Sequence, residues 1–118
     1  MRFSVRRSLP VLLLTGLAFT ALSCSDTTEP PAGATVQVAD NSFNPTSATV
    51  AAGGTVTWQW AGSAQHNVTW VNQSGTSDSP TQTTGTYTRN FSAAGTYDYF
   101  CSLHGTATTG MQGTVTVQ

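Results

Sequence analysis

Apolar and polar residues alternate in short runs along most of the chain after residue 33. The clearest run is 55–60, where Val56, Trp58 and Trp60 share one face, because successive side chains of a strand point to opposite sides. Runs rich in Thr, Val and aromatic residues predict further strands at 35–39, 47–51, 66–71, 87–91, 96–101 and 114–117. No part of this region has a helical period. Residues 34–118 are therefore predicted to form an all-β domain.

Turn-forming residues separate the predicted strands at short and regular intervals. Asn44-Pro45 and Gly53-Gly54 each end a run, and the Ser-, Thr- and Gly-rich segment 72–85 is predicted to be a long surface loop. Strands this short and evenly spaced are typical of a Greek-key β-sandwich or barrel. Residues 34–118 are enough for one small domain of this kind and too few for two.

The first 23 residues have a different pattern, which predicts a signal peptide. Arg2, Arg6 and Arg7 precede an almost wholly apolar stretch at 9–22. A positive start followed by an apolar run shorter than a membrane span is typical of an export signal. We therefore expect residues 1–23 to be removed and the protein to be exported, to the periplasm or the cell surface.

Cys24 follows the predicted signal directly, at the end of Ala21-Leu22-Ser23-Cys24. This segment resembles a bacterial lipobox, in which the cysteine becomes the lipidated first residue of the mature chain, although Ala21 stands where that motif favours leucine. An ordinary cleaved signal with an incidental cysteine is the alternative. With lipidation, residues 24–33, rich in Pro, Ser and Thr, would be a tether, and the lipid on Cys24 would contact a membrane that the chain does not span.

The mature chain carries very few basic residues. Arg89 is its single cation against five acidic side chains, which gives a net charge of −4, and the sequence has no lysine. Nucleic-acid binding needs clustered Lys and Arg to neutralise phosphates, so nucleic acid is excluded as a partner. A protein partner would have to dock on apolar or hydroxyl-rich surface. No structural disulfide is expected, because Cys24 is the predicted lipidation site and Cys101 is a candidate metal ligand.

Four side chains with soft or imidazole donor atoms stand out in a sequence with two His and two Met. Cys101, His104 and Met111 lie within residues 95–113, and His66 is the other histidine. Taken singly, each is more often a core or surface residue than a ligand. Together, a thiolate at the end of a strand and an imidazole in the tight turn beyond it, three residues later, can reach one ion. Two imidazoles, a thiolate and a weak axial thioether are the ligands of a blue-copper electron-transfer site, although zinc could also occupy a Cys/His2 site.

Five segments of the domain resemble the plastocyanin, amicyanin and pseudoazurin group of cupredoxins. They are F-N-P at 43–45, V-A-A-G-G-T-V-T-W at 50–58, H-N-V at 66–68, G-T-Y-D-Y-F-C-S-L-H at 95–104 and G-M-Q-G-T-V-T-V at 110–117. The resemblance covers essentially all of residues 34–118. It implies a protein that carries single electrons between exported protein partners by cycling one copper ion between Cu(I) and Cu(II). We also expect a monomer.

The resemblance also implies roles for individual residues. The expected copper ligands are His66, Cys101 and His104, with Met111 as the axial ligand. Asn67 corresponds to an asparagine that ties the two ligand loops together, here through Ser102. Tyr97 corresponds to a tyrosine that forms a stabilising corner of the fold.

Two departures from the family pattern lie close to the second histidine. Six residues separate His104 from Met111, more than in plastocyanin or amicyanin, so the loop 105–110 is expected to bulge. Leu103 stands where many family members have proline, which makes this turn less rigid. Neither departure removes the core of two nitrogen ligands and one sulfur ligand.

The expected orientation of the ligands and their neighbours predicts one site for electron exit and offers a candidate for a second. His66 should be buried, whereas the ring edge of His104 should lie near solvent, rimmed by Leu103, Gly105 and Ala107, and redox partners should dock there. Alternation then predicts which side chains of the cysteine strand face inward and which face outward. Tyr97, Tyr99 and Cys101 are expected inward, with Asp98 and Phe100 outward. Phe100 is either a second exit or a residue covered by the long loop.

Two other functional classes remain open from the sequence. A copper carrier or chaperone could use the same ligands but would hold the metal more openly and release it. A metal-free Ig-like adhesion module leaves the placement of His66, Cys101 and His104 unexplained. An enzyme is not expected, because the chain has no second metal set, no acid–base pair close in sequence and no room for a catalytic domain.

Overall fold

The computed structural model describes residues 28–118 and contains eight β-strands and, within these residues, no helix. In chain order the strands are β1 (Gly33–Ala39), β2 (Ser42–Asn44), β3 (Ser47–Val50), β4 (Gly54–Trp60), β5 (Thr69–Trp70), β6 (Thr86–Phe91), β7 (Gly95–Gly105) and β8 (Gly110–Val117). No helix that could cross a membrane is present in this part of the chain. The predicted signal peptide (1–23) and the predicted lipidation site at Cys24 lie outside the described residues.

The strands form two four-stranded sheets that enclose one core. One sheet has the order β2-β1-β4-β6, and the other has the order β3-β8-β7-β5. β1 pairs with β4 and β3 with β8 in parallel, and the other pairs are antiparallel. The predicted break at Asn44-Pro45 is the point where the chain leaves the first sheet and enters the second. The predicted all-β sandwich is confirmed.

The core between the sheets is rich in aromatic rings. In β4 alternate residues are buried, as the alternation in the sequence predicts. Trp58 of this strand is fully buried, and the rings of Trp70 and Tyr99 meet it edge-on at centroid distances of 5.5 and 5.3 Å. Edge-on ring pairs add stability beyond the apolar area they bury. Because Tyr99 lies two residues before Cys101 in β7, this packed layer reaches the candidate ligands.

The predicted strand at 66–71 is wrong in extent. Two of its residues form β5, and His66 makes an isolated bridge with Gln82 in the long loop. The hydroxyl of Ser79, in the same loop, accepts a hydrogen bond of 2.7 Å from the backbone N–H of Val68. A loop side chain therefore satisfies a backbone group that a neighbouring strand would otherwise satisfy. Alternation shows which side chains can be buried, but it does not show which groups form hydrogen bonds with the backbone.

The final hairpin is longer than predicted. β7 continues past 101 to Gly105, and β8 begins at Gly110 instead of 114. The glycines at this end of the hairpin have no side chains that could alternate, so the sequence pattern did not reveal the extra pairs. The predicted tyrosine corner is confirmed, since the hydroxyl of Tyr97 donates a 2.7 Å hydrogen bond to the carbonyl of Ala93.

Candidate metal centre

The three predicted ligands His66, Cys101 and His104 lie together in the folded chain. Their donor atoms are all within 4.8 Å of one another. The sulfur of Cys101 is 3.7 Å from Nδ1 of His66 and 3.6 Å from Nδ1 of His104. Both imidazoles therefore turn the same nitrogen toward one thiol, although His66 and Cys101 are 35 residues apart in the sequence.

The three side chains differ in their access to solvent. His66 and Cys101 are fully buried. His104 is accessible to solvent, and its neighbour Leu103 is the exposed large apolar residue of the domain, with 46% of its surface exposed. The predicted contrast between a buried first histidine and an accessible second one is confirmed.

An irregularity in the β7–β8 pairing brings the two C-terminal candidate ligands into place. The register pairs Phe100 with Gln112 and resumes at Gly105 with Gly110. Four residues of β7, 101–104, therefore stand opposite one residue of β8, which is Met111. Such a bulge bends its strand and re-aims its side chains, so Cys101 and His104 can point to the same side. The prediction placed His104 in a turn beyond the strand, whereas it lies inside the bulged part of β7.

Met111, the predicted axial ligand, is buried opposite the bulge. It is 3% exposed and belongs to the same buried cluster as Cys101. The register leaves it alone opposite the bulge that carries Cys101 and His104. Its axial role stays a prediction, because the register places its backbone and not its sulfur.

A tight glycine hairpin accommodates the six residues between His104 and Met111. Gly110 has a φ of 78°, and a Cβ added there would lie 2.5 Å from the carbonyl oxygen of His104. The turn itself is closed by a 2.8 Å hydrogen bond from the N–H of Thr106 to the carbonyl of Thr109. The expected bulge in 105–110 is therefore wrong in form, because the additional residues extend the hairpin and the bulge falls at 101–104.

Asn67 joins the two segments that carry the candidate ligands. Its amide Nδ2 donates to the hydroxyl of Ser102 at 2.8 Å, and its Oδ1 accepts from the backbone N–H of Ser102 at 2.9 Å. Nδ2 also donates to the hydroxyl of Thr81 at 3.2 Å. The predicted tie between Asn67 and Ser102 is confirmed, and it fixes the residue after His66 to the residue after Cys101.

A carboxylate that the sequence did not point to contacts the buried histidine. Asp40, in the turn between β1 and β2, lies 3.1 Å from Nε2 of His66. The same carboxylate accepts hydrogen bonds from the backbone N–H groups of Ala64 and Ser63 at 2.9 and 3.1 Å. These hydrogen bonds, led by that of Ala64 and followed by that of His66, hold the pKa of the Asp40 carboxyl well below its usual range. Asp40 is 26 positions before His66 and belongs to none of the motifs, so only the fold reveals the contact.

The contact with Asp40 determines which nitrogen of His66 is free. Because a carboxylate accepts hydrogen bonds, Nε2 carries the proton, and the unprotonated Nδ1 faces the sulfur of Cys101. The backbone of His66 is also fixed, since its N–H and carbonyl both pair with Gln82. A buried thiol with two imidazole nitrogens around it fits a copper ion, and by donor type alone it would also accept zinc.

Phe100 lies partly covered at the edge of the cysteine strand. It is half-buried, and Thr69 of β5 pairs beside it. Tyr99 and Cys101 are buried, as the predicted alternation requires, and Tyr97 is half-buried against Phe91. Both interpretations of Phe100, as an exit or as a covered residue, are compatible with this position.

Comparisons with known proteins agree with the geometry. The chain matches the family of copper binding proteins described as the plastocyanin/azurin family over residues 32–118. A plastocyanin from Scenedesmus fuscus is 36% identical over 86 residues, which cover 64% of this chain and 86% of that protein. The reduced state of an amicyanin mutant is similar with a TM-score of 0.62 and 30% identity, over 73% of this chain and 82% of that chain.

A copper-containing nitrite reductase from Thermus scotoductus SA-01 is also similar, with a TM-score of 0.58 and 24% identity. The similarity covers 73% of this chain but only 22% of that one, and it is a likeness of fold alone. The chain belongs to the plastocyanin/azurin family of copper-binding proteins. It is a cupredoxin, as the sequence motifs predicted, and its cluster of His66, Cys101 and His104 fits one type 1 copper ion.

Proposed function

We propose that this protein is a type 1 (blue) copper protein that carries single electrons between exported redox partners. The observation that carries the proposal is the convergence of two imidazole nitrogens and one thiol sulfur at one point between the ligand-bearing segments. Membership of the plastocyanin/azurin family supports it. When bound, the copper ion would supply a centre that alternates between Cu(I) and Cu(II).

In this proposal His66, Cys101 and His104 hold the ion, and Met111 is a weak axial ligand. The soft sulfur donors favour Cu(I), whereas the imidazoles also suit Cu(II). The tie between Asn67 and Ser102 restrains both ligand segments, so the donor atoms stay nearly in place in the two oxidation states. A site that moves little loses little energy to reorganisation when an electron arrives or leaves.

Exposure of the two imidazoles favours His104 as the route for electrons. His66 and Cys101 are sealed from water, whereas His104 is accessible next to the exposed Leu103. A redox partner that docks over this rim would come close to a ligand without exposing the sulfur. Because Arg89 is the one cation of the mature chain, we propose that the contact is apolar, near Leu103 and Ala107.

Burial of the site also bears on the alternatives. A chaperone must release its ion readily, and the full burial of His66 and Cys101 opposes release. An enzyme would need a substrate site, and the similar nitrite reductase is a much longer chain. We therefore propose that the protein is an electron carrier and not an enzyme. We also propose that it acts as a monomer and that a lipid on Cys24 holds it in the periplasm or at the cell surface.

The test of this function is the absorption spectrum of the chain loaded with Cu(II). Coordination by the thiolate of Cys101 should give an intense blue colour, and Cys101→Ser should abolish it. Cys24→Ser is the matched control, because it makes the same change outside the cluster and should leave the colour intact. A colourless unmodified chain with one bound copper ion would refute the proposal, as would a Cys101→Ser variant that stays blue.

A further inference from the structure

The carboxylate of Asp40 is held against His66 by more contacts than a surface aspartate needs. Its side chain is 43% exposed, yet it accepts hydrogen bonds from two backbone N–H groups, from the hydroxyl of Ser63 and from Nε2 of His66. Gly62 leaves room for it, since a Cβ at that position would collide with the carboxylate. The carboxylate is therefore fixed in position before any metal binds.

We propose that Asp40 is a positioning residue that orients His66 and tunes the copper site toward Cu(II). This inference rests on the proposed function. The hydrogen bond from Nε2 fixes the tautomer in which Nδ1 has a free lone pair, and Nδ1 is the atom that faces Cys101. A negative charge on the far side of the ring makes Nδ1 a stronger donor. A stronger nitrogen donor stabilises Cu(II) more than Cu(I), which lowers the reduction potential.

A capping role for Asp40 makes a different prediction. The backbone hydrogen bonds to Ser63 and Ala64 show that Asp40 also shapes the loop that leads to His66. If this were its whole effect, its removal would lower stability and leave the potential of the folded, loaded protein unchanged. The potential and the state of the imidazole proton therefore separate a tuning role from a structural one.

The first experiment compares the reduction potential of the copper-loaded full chain with two variants that lose the same charge. Asp40→Asn keeps the shape of the side chain and removes its charge beside His66. Asp98→Asn is the matched control, because Asp98 is an exposed aspartate three residues before Cys101 whose carboxylate accepts a 2.8 Å hydrogen bond from Thr114. We expect the preference for Cu(II) over Cu(I) to fall about 10-fold further in Asp40→Asn than in the control. For a one-electron couple this corresponds to a potential about 59 mV higher.

The second experiment observes the imidazole proton directly and needs no copper. Nitrogen-resolved NMR of the metal-free chain should show His66 protonated at Nε2, with a proton that exchanges slowly with water. Asp40→Ala should make that proton exchange quickly, whereas Asp98→Asn should leave it protected. This measurement keeps the inference testable even if an Asp40 variant binds copper poorly.

The outcomes distinguish this inference from the function on which it rests. An unmodified chain that binds copper without turning blue would overturn the proposed function and this inference with it. A blue chain in which Asp40→Asn and Asp98→Asn have the same potential would overturn the inference alone. The same holds if the NMR spectrum shows His66 protonated at Nδ1 in the unmodified chain.

Discussion

Asn67 and Ser102 exchange two hydrogen bonds, of 2.8 and 2.9 Å, and so connect the residue after one candidate ligand to the residue after another. Neither segment is part of the other's strand ladder, because His66 and Asn67 precede β5 whereas Ser102 lies in the bulge of β7. A side chain therefore provides the connection that the backbone pairing omits. The tie explains how two segments far apart in sequence keep a common geometry.

Removal of this tie should weaken the domain even without metal. Asn67→Ala deletes both bonds and the bond to Thr81, and it leaves the N–H of Ser102 without its partner, so we expect the free energy of unfolding to fall by about 2 kcal/mol. Urea unfolding of the metal-free chain measures the loss, and the exposed Thr84→Ala serves as the control. In a double-mutant cycle with Ser102→Ala, the two losses should not add. Additive losses would mean that the two side chains do not act as a pair.

Replacement of the axial candidate tests its role separately from the other ligands. In Met111→Leu the copper should remain bound and the protein should stay blue, because the thiolate and the two imidazoles remain. Loss of the thioether removes a weak donor, so the reduction potential should rise. The potential and the absorption spectrum of the loaded variant are measured together. If neither changes, Met111 is a core residue and not a ligand.

Gly113 should not tolerate even one additional carbon atom. A Cβ at this position would collide with the ring of Tyr99, which is packed between Trp58 and Trp70 and cannot move aside. Gly113→Ala should therefore destabilise the domain by about 1–3 kcal/mol, which urea unfolding would detect. Gly33→Ala is the control, because its new Cβ would make an ordinary contact of 3.4 Å with Thr55. Equal stability of the two variants would contradict the packing described here.

Stability should fall at high pH because of Tyr99. Burial raises the pKa of Tyr99 to about 12, above the value of about 10 for an unfolded tyrosine. As the pH rises, the unfolded state therefore loses this proton first, which favours unfolding. The stability that the folded state gains by keeping Tyr99 protonated, about 2 to 3 kcal/mol, is complete below about pH 10 and is lost by about pH 12. Urea unfolding across this range measures the loss. Tyr99→Phe should remove this part of the pH dependence, and an unchanged slope in that variant would count against it.

The sequence predicted the metal cluster better than the strands around it. His66, Cys101 and His104 are conspicuous because His and Cys are so rare in this chain, and a family motif surrounds each of them. The fold class could be predicted because alternating apolar residues indicate strands with one buried face, and turn residues mark where these strands end. The strand predicted at 66–71 was too long, since loop side chains such as Ser79 take over part of its hydrogen bonding.

Contacts between distant side chains were the part that the sequence could not provide. Asp40 lies in an ordinary turn, and only the pairing of β1 with its neighbours brings that turn to His66. The bulge at 101–104 depends on the register between β7 and β8. The glycines at 105 and 110 allow this register, but their presence in the sequence does not predict it. Such features arise from the assembled sheets and not from local pattern.

The central claim is that one copper ion held by His66, Cys101 and His104 accepts and returns single electrons. A redox titration of the copper-loaded chain, followed through its blue absorption, tests this claim most directly. The account predicts one copper ion per chain and a reversible one-electron transition, with the ion retained in both states. Loss of the ion on reduction, or a transition that is unchanged in Cys101→Ser, would contradict it.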